Sequence, residues 1–212
     1  MEFRVFNLGL VGFKEALLFQ KAIFRKIKDN YFNSALILCR HYPVITMGRR
    51  AKTGNITVSP VELARMGIGM HRIERGGDVT YHGPGQLTAY PIFNLNYLKK
   101  DIHFFLRELE GLAIDFLADF GIKGTRREGL TGVWIGRRKI SSIGIAIRNW
   151  ITFHGMSINI KESDLYNFRF IKPCGMDIEM TSLETLLGAD VEIGKINSVF
   201  TRKFKNRFLT VQ

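Results

Sequence analysis

Cysteine is scarce in this chain: only Cys39 and Cys174 occur in 212 residues, which excludes a disulfide-stapled scaffold. Long apolar runs are missing as well, and none approaches the roughly 20 residues needed to span a bilayer. The N-terminus, Met1-Glu2-Phe3-Arg4-Val5, lacks the charged-then-apolar plan of a signal peptide. Proline occurs five times, and no Pro/Gly/Ser-rich stretch reads as a linker. Internal repeats and low-complexity tracts are absent, which excludes solenoids and arrays. The expectation is one globular domain over residues 1–212, in a reducing cytoplasm, with both thiols free and no membrane partner.

Acidic residues are few: 19 Asp and Glu face 31 Lys and Arg, for a net charge of +12. Such an excess points to an acidic partner surface, whether nucleic acid, anionic lipid or protein. A nucleic-acid binder is expected to gather its cations on one element or among exposed aromatics. Here they are scattered as Arg49-Arg50, Lys99-Lys100, Arg126-Arg127 and Arg137-Arg138-Lys139, with a denser basic helical tail at about 194–212. Nucleic acid is therefore not the expected partner.

Phe13, Ala16, Leu17, Phe24 and Ile27 recur at helical spacing after a short first strand, and 35–39 and 44–47 read as buried strands. Ser59-Pro60-Val61-Glu62 has the form of a capping box that opens a short helix ending at Gly67. Residues 70–75 and 87–95 read as strands flanking a glycine-rich loop, and a long helix around Phe104–Phe116 follows, capped by Gly121. Strands at 132–135, 139–147 and 151–160 are joined by tight turns, so they read as antiparallel hairpins. Thr181-Ser182-Leu183-Glu184 reads as a second capping box, and Ile196, Val199, Phe200, Phe204 and Phe208 stripe a last helix. Helices mixed with hairpins predict an α+β fold with a mixed, largely antiparallel sheet packed with helices.

The densest chemical signal is Arg75-Gly76-Gly77-Asp78-Val79-Thr80-Tyr81-His82-Gly83-Pro84-Gly85-Gln86. Its glycines allow backbone to approach a ligand closely. No Gly-Lys-Ser/Thr follows and no helix opens after it, so it is neither a Walker loop nor a dinucleotide fingerprint. A lone histidine in a turn is more often structural than catalytic, but the company of Arg75, Thr80 and Tyr81 favours a binding loop. Cys174 sits between Pro173 and Gly175, a turn setting in which nearby cations can lower a thiol pKa. Cys39 ends an apolar strand and reads as a small buried hydrophobe. Ser142, Gly144 and Ala146 share a small-residue strand face; strict alternation puts Lys139 on the opposite face, so it reaches a groove there only through a twist or bulge.

The glycine motif, Gly132-Val133-Trp134 followed by Lys139-Ile140, Phe153-His154-Gly155 and Pro173-Cys174-Gly175 together resemble the lipoyl(octanoyl) transferase family, also called lipoate-protein ligase B, in the same order from about Leu8 to Leu187. The resemblance implies the catalytic module of biotin and lipoate protein ligases. It implies transfer of an octanoyl or lipoyl group from acyl carrier protein to a lysine on lipoyl domains of 2-oxoacid dehydrogenases or the glycine cleavage H protein. By resemblance the acyl-thioester nucleophile falls on Cys174 and the lysine that lowers its pKa on Lys139. Substrate-binding stretches fall on Arg75, Gly76, Gly77, Asp78, Val79, Thr80, Tyr81 and His82, on Ser142, Ile143 and Gly144, and on Gly155, Met156 and Ser157. Two departures stand out: Arg40 replaces an often acidic residue before His41-Tyr42-Pro43, and the tail after Gly188 is unusually basic.

A thioester donor is already activated, so neither ATP, a metal nor another cofactor is expected beyond the phosphopantetheine carried by the donor. Backbone N–H groups of Gly76, Gly77 and Gly175 are candidates for stabilising the tetrahedral oxyanion. An ATP-dependent lipoate or biotin ligase, a lipoyl amidotransferase and a basic nucleic-acid-binding protein are the alternatives that the sequence leaves open.

Overall fold

Strand β1 (Phe3–Val11) leads into helix α1 (Phe13–Lys28), and the chain returns parallel to β1 as β2 (Ser34–His41). The computed structural model describes residues 2–209, and the side chain of Cys174 is outside that description. Next come β3 (Val44–Met47), α2 (Pro60–Arg65), β4 (Gly69–Arg72), β5 (Val79–His82) and β6 (Gln86–Phe93). Helix α3 (Ile102–Ala118) precedes β7 (Thr125–Arg127), β8 (Leu130–Ile135), β9 (Arg138–Arg148) and β10 (Ile151–Asn159). A 3-10 segment (Glu162–Phe170), a 3-10 turn (Pro173–Gly175), α4 (Leu183–Leu187) and α5 (Ile193–Phe208) complete the order.

Seven strands form one sheet in the order β1-β2-β6-β10-β9-β8-β7, in which only β1 and β2 are parallel. A smaller sheet, β4-β3-β5, stands beside it. The α+β reading therefore holds, with a largely antiparallel main sheet. The tight turns drive this pairing: Asn149 and Trp150, both at positive φ, reverse the chain between β9 and β10, as a two-residue hairpin requires.

One face of the main sheet packs on α3 and α5, where Phe93, Phe105, Phe204 and Phe208 cluster around Phe116 and Leu112. Phe204 and Phe208 have ring centroids 4.6 Å apart, and Phe93 lies 5.5 Å from Phe208. Each buried ring contributes about 2 kcal/mol of apolar burial, so the basic tail is a core helix on its apolar stripe. Ala16, Ile23 and Ile27 of α1 cover the other face over Ile37, Tyr90 and Ile92. No helix among the described residues is long and apolar enough to cross a membrane.

Two local expectations are corrected. The stretch expected to be a continuous glycine loop contains β5, because Val79 and Tyr81 bury their side chains and pair with Met47 and Ile45 of β3. The cap of α4 is Ser182, whose Oγ accepts the Thr185 N–H at 3.1 Å. Thr181 is one residue too early, and Glu184 turns away to accept the Glu162 N–H and pair with Lys161. The first capping box forms as expected, with Ser59 and Glu62 each taking the other's N–H.

Candidate active site

Arg75 is 7% exposed and ties the glycine loop to β3: its Nη2 donates to Thr46 O at 2.7 Å and its Nη1 to Gly76 O at 3.0 Å. The turn after β3 runs alongside, with Gly48, Arg49 and Arg50 N–H groups donating to Asp78, Arg75 and Gly77 carbonyls. The approach demands glycine at 48, since a Cβ there would lie 2.8 Å from the Arg75 guanidinium. Gly76 N–H donates to Ile145 O at 2.8 Å. The loop is thus stitched to both sheets and lies over β9.

On β5, Thr80 and His82 face a cavity while Tyr81 points away, its ring 5.6 Å from Phe168 and its hydroxyl accepting from Asn167. Gln86 Nε2 donates to Tyr81 O, so Gln86 Oε1 is the acceptor for His82 Nδ1 at 3.1 Å. That fixes the Nδ1–H tautomer and leaves Nε2 as an acceptor. His41 is placed likewise: Nδ1 donates to Val11 O, and Nε2 accepts from Tyr90 Oη at 2.7 Å. Burial, with repulsion from His41 when that ring is protonated and from the Arg75 guanidinium, pushes His82 down to about 3. Burial pushes His41 down to about 4 against the pull of the Val11 carbonyl. Both are neutral at physiological pH.

The stretches 142–144 and 155–157 are direct cross-strand partners: Gly144 opposes Gly155, Ile143 opposes Met156, and Ser142 opposes Ser157. All six line the same cavity as residues 75–80 and His82. Its volume is about 450 Å³, within the roughly 300–1,000 Å³ common for small-molecule pockets. Ile73, Ile102, Leu106, Leu130, Ile143 and Met156 give it an apolar interior. Ala146 does not belong to its lining.

Lys139 reaches this cavity through the irregularity that strict alternation required. Val133 opposes Ser141 but Trp134 opposes Lys139, so β9 carries an extra residue there. Ile140 consequently joins the same apolar cluster as Ile143 and Ile145, and Lys139 lines the cavity with Ser142 and Gly144. Its Nζ lies 5.3 Å from the Trp134 ring centroid. The Lys139 N–H donates to Glu179 O, and its carbonyl accepts the Thr181 N–H. That segment leaves the Pro173–Gly175 turn, whose Pro173 also lines the cavity. Lys172 N–H donates to Asn55 O, and Asn55 Nδ2 donates to Asp78, linking this turn to the glycine loop. The Cys174 side chain, the expected nucleophile, is outside the described residues.

The chain matches the family model of the lipoyl protein ligase A/B catalytic domain over residues 13–205. The chain belongs to this family. An octanoyltransferase of Caldicellulosiruptor saccharolyticus is 43% identical over 98% of this chain and 91% of that protein. One of Clostridium kluyveri is 41% identical over 95% and 86%. The lipoate protein ligase of an archaeal lipoylation system from Thermoplasma acidophilum shares the fold, with a TM-score of 0.79 at 20% identity, covering 98% of this chain and 84% of that one. With these relatives, the chain is an acyltransferase of the family, and octanoyl transfer in lipoylation is its activity.

Within this family frame, several cavity residues escaped the sequence reading. Arg49 and Arg50 stand at its rim, and Thr88, Tyr90 and His154 line it. His154 stands in the Phe153-His154-Gly155 motif but was given no site role; it is 2% exposed, with positive φ, and burial pushes it down to about 4, opposed by Glu74. Thr88 and Tyr90 alternate along β6, a period-2 signal that was available in the sequence. Arg49 and Arg50 read in the sequence only as one of the scattered basic pairs; what places them at the cavity is long-range hydrogen bonding of their backbone N–H groups to the glycine loop.

Proposed function

We propose that the chain transfers an octanoyl group from acyl carrier protein to a specific lysine of lipoyl domains, in 2-oxoacid dehydrogenases and the glycine cleavage H protein, through a thioester on Cys174. The observation that carries this reading is the convergence of residues 75–80, His82, 142–144, 155–157, Lys139 and Pro173 on one largely apolar cavity, in a chain about 40% identical to octanoyltransferases. A cytoplasmic setting, where acyl carrier protein and apo acceptors meet, belongs to the same proposal.

Cys174 thiolate attacks the octanoyl carbonyl carbon, and the phosphopantetheine sulfur leaves, taking a proton from the Lys139 ammonium. The acceptor amine then attacks the Cys174 thioester, neutral Lys139 takes its proton, and Cys174 thiolate departs. The second step needs that base, since neutralising an ordinary lysine at pH 7 costs about 4 to 5 kcal/mol. The thioester supplies the activation, so the reaction as written calls on no ATP, metal or other cofactor.

Of the three glycine N–H groups considered for the oxyanion, two are engaged: Gly76 donates to Ile145 O and Gly175 to Lys172 O. Gly77, at φ +87°, is the donor left for the tetrahedral intermediate. The apolar interior suits the acyl chain, each buried CH₂ contributing about 0.8 kcal/mol. Arg49 and Arg50 at the rim suit acidic carriers, a contact that weakens with salt.

The test is transfer from octanoyl-acyl carrier protein to an apo lipoyl domain in the absence of ATP. Wild type is expected to transfer, and Cys174→Ala and Lys139→Ala to fall by orders of magnitude. Activity that requires ATP and free octanoate would replace this reading with a ligase.

A further inference from the structure

Glu110 lies on α3 with a side chain only 2% exposed, away from the cavity lining. A buried carboxylate is costly unless its oxygens are satisfied. Its Oε2 accepts Arg107 Nη1 at 2.8 Å and Arg126 Nε at 3.1 Å. Its Oε1 accepts the backbone N–H of Gly132 at 3.1 Å. Arg126 also donates through Nη2 to Arg107 O, closing the network onto α3.

Gly132 has φ +132°, a region that glycine adopts and L-residues avoid. A Cβ on it would collide with Ser141 O and lie 2.6 Å from Lys139 Cε and 3.2 Å from Lys139 Nζ. The Lys139 side chain therefore runs directly across the bare Cα of Gly132. The stretch from Gly129 to Thr131 just before it forms one wall of the cavity. Lys139 is anchored at its backbone by residues 179 and 181, while the bed beneath its amine end, besides the pairing of β8 with β7 and β9, is tied to α3 by the Gly132 N–H to Glu110 hydrogen bond.

We propose that Glu110 is a positioning residue for Lys139: through Gly132 it sets the height of β8 and so the place of the amine in the cavity. This inference rests on the role proposed above for Lys139. Without the carboxylate, Gly132 N–H and Arg126 lose their buried acceptor, β8 relaxes, and the lysine amine moves off its bed. A displacement of about 1 Å at a reacting group costs up to roughly a hundredfold in rate.

The test compares full-length wild type, Glu110→Ala, Glu110→Gln, Gly132→Ala and Lys139→Ala, with octanoyl-acyl carrier protein and an apo lipoyl domain, measuring kcat, KM and kcat/KM against pH. Glu110→Ala is expected to lose roughly tenfold to a hundredfold in kcat with KM for both substrates within about twofold. Its acid limb is expected to move to higher pH as the cation leaves the nucleophile. Glu110→Gln, which keeps an oxygen for Gly132, is expected to restore most of kcat, and Gly132→Ala to reproduce the shifted limb with Glu110 intact. A folded Glu110→Ala enzyme with wild-type kcat and acid limb overturns the proposal, as does a Gln variant no better than Ala. Should Glu110→Ala fail to fold, an unshifted limb in Gly132→Ala overturns it. If Lys139→Ala itself keeps the wild-type profile, the role of Lys139 falls and this inference with it; if only Lys139→Ala changes, this inference alone falls.

Discussion

Gly144 lies directly against the carbonyl of Gly76: a Cβ on Gly144 would stand 2.9 Å from Gly76 O and 3.1 Å from Arg75 Cδ. The contact presses the glycine loop onto β9, with the Gly76 N–H to Ile145 O bond alongside. Gly144 is not at positive φ, so alanine there suffers no backbone strain, only this collision. Gly144→Ala is expected to lift the loop and cut transfer by more than tenfold while costing about 1–3 kcal/mol of stability, as overpacking does. Thermal unfolding and steady-state kinetics on the same sample check both halves.

His41 and His82 make stability fall with acid. Each is neutral when folded, with values near 4 and 3, and titrates near 6.5 when unfolded. The depressed folded value means stability is fully present above about pH 6.5 and is lost progressively as pH falls toward 4, because the unfolded chain takes up protons that the folded chain refuses. At pH 5 the penalty is about 2 kcal/mol for each. Chemical denaturation at pH 7.5, 6 and 5 should show that decline, and His41→Gln should make it shallower.

Asp164 holds the turn behind His82. The residue is 7% exposed, and its Oδ2 accepts the Gly85 N–H at 2.6 Å. Asp164→Ala leaves that amide without its acceptor, an expected loss of about 1–3 kcal/mol. Urea denaturation measures it. The same variant is expected to raise KM, because His82 and Gln86 flank the turn.

The observed cap of α4 gives a discriminating pair. Ser182→Ala should cost about 1 kcal/mol. Thr181→Val removes a fully buried hydroxyl that has no hydrogen-bond partner among the described residues and is expected to be neutral or stabilising. Equal losses in both variants would contradict the cap assignment.

Helices α1, α3 and α5 and the β8–β9–β10 hairpins were legible because their signals are local: an apolar stripe at helical spacing, or a glycine or asparagine in a turn. Strand β5 was hidden inside the glycine motif, since its partner β3 lies more than thirty residues earlier and only that pairing turns Val79 and Tyr81 inward. Thr181 and Ser182 both offer a hydroxyl, and what chooses between them is Glu184, drawn away by Lys161 and the Glu162 amide. Alternation alone left Lys139 on the wrong face; the bulge that turns it depends on β8 and on residues 179–181. The triplets 142–144 and 155–157 were picked out by resemblance, and their meeting in register follows from the Asn149-Trp150 turn, which was readable from sequence.

The most direct measurement is intact-protein mass spectrometry of the enzyme mixed with octanoyl-acyl carrier protein without ATP, followed by an apo lipoyl domain. One octanoyl increment mapping to Cys174 is expected, absent in Cys174→Ala and discharged when the acceptor is added. Transfer at the wild-type rate by Cys174→Ala, or an increment on any residue other than Cys174, would contradict it.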